Sequence, residues 1–151
     1  MRVAFDEQGE HFTKNVGVNS VVLKPEVKES PYYFLALLNS SIASFYISKT
    51  SIFLSHGFYA SNKQFANSIP IRSIDFKKPN ENDKHTLIVE LVLELIKSKN
   101  AFVNAKLENE AELISRKINA VENQIDDLVC DLYDLNVNDR KIMAAALPPK
   151  N

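Results

Sequence analysis

A chain of 151 residues with 45% hydrophobic and 25% charged content holds enough apolar material for one ordinary core, which excludes disorder as the default reading. It carries 18 Lys+Arg against 19 Asp+Glu, which argues against a freestanding DNA binder but not against a module working beside a more basic partner domain. The single cysteine, Cys130, excludes a disulfide framework and a cysteine-based metal site, and suits a reducing cytoplasm, where the protein is expected to reside.

In chain order, residues Arg2–Phe5 and Asn15–Leu23 have β-type composition, with Val3, Val16, Val18, Val21, Val22 and Leu23 punctuated by Gly9 and Gly17 and stopped by Pro25. They predict short strands whose partners come from 51–74 or from chain beyond this sequence. Such a start suggests a piece of a longer protein.

Ser30 followed by Pro31 predicts a helix start, and Phe34, Leu35, Leu37, Leu38, Ile42, Phe45 and Tyr46 then recur at helical spacing, with an end near Lys49. Pro31–Ser48 is uncharged and approaches the roughly 20 apolar residues a membrane span needs. Asn39, Ser40, Ser41 and Ser44 lie in its middle and favour a helix buried in protein. The wider window Pro31–Ile74 contains no Asp or Glu and holds Lys49, Lys63 and Arg72, an asymmetry that suits a surface facing an anion. Within it, Ile52–Tyr59 reads as strand and loop, Ser61 or Asn62 caps a short helix, and Pro70 holds Ile69 extended.

Lys77–Asp83 is polar, contains Pro79 and reads as a linker. Beyond it no Gly or Pro occurs from Asn80 to Leu147, and Leu107, Ala111, Ile114, Ile118, Val121, Ile125, Leu128 and Leu132 step alternately by four and three, a heptad seam. The broader apolar run Leu87–Ile96, with Phe102 and Val103, predicts a second helix folded antiparallel on the first, with the bend between Asn100 and Asn109. Asn136 or Asn138 caps a last short helix before Pro148. The expected fold is therefore α+β: a small β-rich recognition lobe with a buried helix at 1–78, a linker at 79–83, and a helical spacer or docking region at 84–151.

No catalytic constellation emerges. There is no Gly-rich phosphate loop and no metal-ligand spacing, and no nucleophile stands with a plausible base. His11, His56 and His85 fall in separate segments and read as surface or loop residues. Asp126, Asp127, Asp131 and Asp134 read as a solvated acidic face. The residue types best suited to a ligand are Lys49, His56, Tyr59, Asn62, Lys63, Gln64 and Arg72, interleaved with Phe53, Phe58 and Phe65. Cations meet phosphates, amides and Arg pair with base edges, and aromatic rings pack on bases, so these seven are candidate DNA contacts; the same composition equally fits an ordinary loop whose Phe residues sit in the core.

The order Phe34-Leu35-Ala36-Leu37-Leu38-Asn39-Ser40, Phe45-Tyr46, Gly57-Phe58-Tyr59 and Ile69-Pro70-Ile71 resembles the TaqI-like C-terminal specificity domain, with its "LLNS" helix and "lPI" close. Gln124–Leu135, QIDDLVCDLYDL, is similar to that family's closing helix, written "IDeLVYeLYgL", with Cys130 in place of the usual Tyr and Asp134 in place of the usual Gly. The resemblance spans roughly 16–143. It implies the target-recognition part of adenine-N6 DNA methyltransferases and fused restriction-modification enzymes. It also implies double-stranded DNA and a methyltransferase catalytic domain or subunit as partners, and S-adenosylmethionine bound by that separate domain and not by this chain. The alternative is a coiled-coil interaction module, self-associating through Leu107–Leu132, without DNA binding.

Overall fold

The computed structural model describes residues 3–10, 20–52 and 67–147. Helices α1 (Pro31–Asn39), α2 (Ser41–Thr50), α3 (Pro79–Asn104), α4 (Glu108–Leu132) and α5 (Val137–Ala146) follow in chain order. Among the described residues there is no strand, so the expected α+β fold with a β-rich lobe is corrected to an all-helical one.

The reason lies in how extended segments satisfy their backbone. A strand needs a neighbour to exchange N–H and C=O groups with, and here side chains take that role. Val3 donates its N–H to Asn39 Oδ1 at 2.9 Å and receives Asn39 Nδ2 on its carbonyl at 2.9 Å. The carboxamide thus substitutes for a partner strand, and Phe5 meets Tyr32 edge-on at 5.4 Å. Val21 and Val22 lie outside any helix or strand with 69% and 86% of their surface exposed, so their β-type composition meets no sheet.

The Ser30 hydroxyl accepts the Tyr32 N–H at 3.3 Å and Pro31 occupies the first turn, starting α1 as the cap pattern predicts. The single helix expected to run to Lys49 is instead two. Ser40 adopts φ −71, ψ 163, donates its hydroxyl to the Leu37 carbonyl at 2.7 Å and accepts the Ala43 N–H at 3.3 Å. One side chain therefore closes α1 and opens α2. Asp126 of α4 accepts the Ser41 N–H at 2.7 Å, placing a carboxylate at the positive end of α2.

Helix α3 begins at Pro79, so the stretch expected as a linker forms its first turn. The chain reverses at 105–107, inside the expected bend, and α4 returns antiparallel along α3. Lys117 pairs with Glu94 at 2.9 Å and Lys99 with Glu122 at 2.6 Å across the hairpin. The core is one cluster of Tyr33, Ala36, Leu37, Ile74, Ile88, Leu91, Val92, Val121, Ile125, Val129 and Leu132. It joins α1 and the 70–76 segment to the base of the hairpin. The C-terminal half of the seam, Val121, Ile125 and Leu132, is thus buried in the chain's own core.

Asn136, rather than Asn138, caps α5. Its Oδ1 accepts the Asn138 and Asp139 N–H groups at 2.8 and 3.1 Å, while Asp139 Oδ2 accepts the Asn136 N–H at 3.1 Å. This reciprocal box fixes the start of the helix. Arg140 then reaches back to pair with Asp127 at 3.3 Å and with Asp131, so the acidic face of α4 is partly neutralised by α5.

Candidate functional site

Five of the seven candidate DNA contacts, His56, Tyr59, Asn62, Lys63 and Gln64, lie outside the described residues, as do Gly57 and the expected cap at Ser61. The two others flank that stretch. Lys49 is in the last turn of α2, exposed, with Nζ 5.4 Å from the centre of the Phe45 ring. The ring face holds the ammonium by cation–π attraction and leaves its outer side to solvent.

Arg72 stands on the other flank in a network built from distant elements. Its Nε donates to the Leu132 carbonyl at 3.3 Å, its Nη1 to the Ser73 carbonyl at 2.8 Å, and its Nη2 pairs with Glu81 Oε1 at 3.2 Å. The guanidinium thus covers an open carbonyl at the end of α4 and ties it to the first turn of α3. With 39% of the side chain exposed, one edge still faces solvent. Glu81 also receives the Asp75 N–H at 2.9 Å and Lys78 Nζ at 3.2 Å, and these donors hold its carboxyl below the usual range.

The backbone around Arg72 is held by two tyrosines absent from the candidate set. Tyr133 donates its hydroxyl to the Pro70 carbonyl at 2.7 Å and accepts the Arg72 N–H at 3.2 Å. Tyr33, fully buried, donates to the Arg72 carbonyl at 2.6 Å. Glu29 accepts the Ile74 N–H at 3.0 Å. Burial pushes both phenols above their ordinary range, so both stay protonated and remain donors. Arg72, directly after the Ile69-Pro70-Ile71 close, is therefore fixed by α1, α3 and Tyr133 at the end of α4, and Tyr133 holds Pro70 as well. The available signal for Tyr133 was its place one residue past the last seam position, Leu132.

His85, expected at a surface or in a loop, is buried on α3. Its Nε2 accepts the Ser30 N–H at 3.1 Å, and its ring lies 5.1 Å from Tyr33 and 5.2 Å from Phe76. Burial lowers its pKa, opposed by the nearby Glu29, and accepting a proton donor at Nε2 requires the neutral ring. This histidine organises the start of α1. Cys130 is buried too, and burial raises its thiol pKa, which suits an inert apolar role.

Among the described residues no group of three His, Cys, Asp or Glu side chains converges as a metal site, and no helix is long and apolar enough to cross a membrane. What the arrangement achieves is mechanical: a helical body grips both flanks of the stretch 53–66. The Ser51 N–H donates to Ile47 O at 2.9 Å on the entering side, and the tyrosine clamp holds the leaving side. Comparison with protein-family models, with curated proteins and with solved structures finds no match to this chain.

Proposed function

We propose that this chain is a DNA sequence-recognition module, the specificity part of an adenine-N6 restriction-modification methyltransferase, whose partner domain supplies S-adenosylmethionine and chemistry. The supporting observation is that the two segments carrying the family resemblance are physically joined. Tyr133 of QIDDLVCDLYDL bonds Pro70 and Arg72 at the Ile-Pro-Ile close, and Asp126 of the same segment caps the helix that follows Leu38-Asn39-Ser40. These bonds tie motif residues to the flanks of the cation-, amide- and aromatic-bearing stretch 49–72, which supports reading them as its scaffold.

On this reading a scaffold fixes the flanks, phosphate contacts come from lysines such as Lys49 and Lys63, and base contacts come from Asn62, Gln64 and neighbouring rings. Arg72 acts first as a positioning residue and offers its exposed edge to phosphate.

The test is selection from a pool of labelled duplexes with a randomised centre, followed by titration of the enriched sequence at several salt concentrations. The expected result is enrichment of one short sequence, with affinity falling steeply as salt rises. Lys49→Ala and Lys63→Ala should each weaken binding to all duplexes alike and lower the salt slope by about one. No enrichment and no bound fraction at about 50 mM salt overturns the reading.

A further inference from the structure

The heptad seam on α4 turns inward, but α3 carries a second seam that does not. Thr86, Val89, Leu93, Ile96, Asn100 and Val103 step by three, four, three, four and three along α3. Residues so spaced share one stripe of a helix. It lies beside the core-facing row of His85, Ile88, Val92 and Leu95 and is rotated out of the core except at Val89, which packs against it. Leu93 is 44% exposed, Ile96 37% and Val103 81%; Val89 is half-buried, and Thr86 and Asn100 are exposed. An a/d spacing of this length is complementary to another α-helix.

Charge identifies which helix. Three exposed charges follow the outer side of α3 at heptad spacing, Asp83, Glu90 and Lys97; Asp83 precedes the stripe and Glu90 and Lys97 border it, and none of the three makes an ion pair or a side-chain hydrogen bond with a described residue. The next charges along α3 are engaged: Glu94 with Lys117 and Lys99 with Glu122. Laid antiparallel against a second copy of itself, with the two-fold axis between Leu93 and Ile96, the stripe stacks Leu93 on Ile96 of the second copy and the reverse. Val89 then meets Asn100 and Thr86 meets Val103, each pair occurring twice by symmetry. In this register Glu90 sits between the same two layers as Lys97 of the second copy, twice over. A parallel pairing leaves both charges without an opposite, because the positions across from them are then Val92 and His85, buried in the core.

We propose that the chain forms a two-fold dimer through the outer face of α3, antiparallel, with reciprocal Glu90–Lys97 pairs flanking a Leu93–Ile96 centre. It is distinct from pairing through Leu107–Leu132, a seam whose C-terminal half is occupied within one chain. It stands independently of DNA recognition.

The full chain is examined by sedimentation equilibrium across the micromolar range. The expected result is a monomer–dimer equilibrium that Leu93→Glu abolishes, with far-ultraviolet circular dichroism unchanged because the position is solvent-facing. Glu90→Lys and Lys97→Glu each convert two attractions into two repulsions, and each should raise the dissociation constant about tenfold. Mixed in equal amounts, these two variants should associate as the unaltered chain does, since one then carries two lysines and the other two glutamates. A monomer at all concentrations, a dimer indifferent to Leu93→Glu, or a mixture no tighter than either variant alone overturns the proposal.

Discussion

Near its base the hairpin of α3 and α4 presents Ile88, Leu91, Val129 and Leu132 to α1 and the 70–76 segment, and all four are buried. Toward its tip the same hairpin leaves Leu93 and Val103 of α3, Leu107 of the turn and Leu113 of α4 open to solvent. Sequence period is similar at both ends, so what differs is the presence of a third layer. At the base, α1 and the clamped segment cover the pair; at the tip, two helices cover only each other. Burial at the base is what converts hydrophobic period into stability.

The largest test of this contrast is a pair of truncations. Ile88→Ala removes a fully buried side chain and should cost about 3 kcal/mol by chemical denaturation, whereas Leu113→Ala, at 69% exposure, should stay within about 0.5 kcal/mol. Equal costs would mean that the tip is as well packed as the base.

A second test addresses the clamp. Tyr133→Phe leaves the Pro70 carbonyl and the Arg72 N–H without the hydroxyl that joins them, and should cost about 1–2 kcal/mol. If the proposed function holds, the same variant should weaken binding to the selected duplex while leaving every candidate contact residue in place. Wild-type stability in Tyr133→Phe would show that the clamp does not fix the flank.

How far the sequence discloses this architecture varies with the range of the forces involved. The start of α1 was legible because Ser30 and Pro31 act locally, and the hairpin because uninterrupted helical period needs no third party. The break at Ser40 was hidden, since Phe34 to Tyr46 keep a helical period across it; the signal was the polar run Asn39-Ser40-Ser41. Within the described residues the expected strands failed because composition registers a taste for extended chain and says nothing of a partner. Val3 found Asn39, 36 positions away, and Arg72 found Tyr133, Tyr33 and Glu81. Such side-chain-to-backbone bonds have no period. For the same reason Arg72 reads in sequence as a free cation, and five of the seven site candidates rest on sequence chemistry alone.

A third prediction exploits His85, which sits where α1 meets the hairpin base. Its pKa is lowered in the folded state, so between that value and about 6.5 the unfolded chain binds more protons than the folded one. Stability contributed by the neutral ring is therefore complete above about pH 6.5 and is lost as pH falls below it. The melting temperature should decline on acidification from pH 7 toward 5, and His85→Gln, which keeps an acceptor for the Ser30 N–H, should flatten that decline. An unchanged profile in the variant would assign the acid sensitivity to another group.

The smallest expected effect concerns the turn that follows Tyr133. Asp134 has φ +54, in the left-handed region, directly after the end of α4. Leu135 donates its N–H to the Cys130 carbonyl at 3.1 Å and Asp134 donates to Asp131 at 3.3 Å, the paired bonds of a Schellman closure. That geometry favours glycine, and Asp134 also sets a carboxylate at the negative end of a helix. Asp134→Gly should therefore stabilise the chain by about 0.5 kcal/mol, and Asp134→Ala, which keeps a Cβ at positive φ, should destabilise it. Asp134→Asn separates the two causes, since asparagine tolerates the left-handed region without the charge. Opposite signs for glycine and alanine would locate the strain in the backbone of the turn that carries the Tyr133 clamp. A gain in both would place it in the charge alone, and the turn would then contribute nothing of its own to holding the base of the hairpin against Pro70.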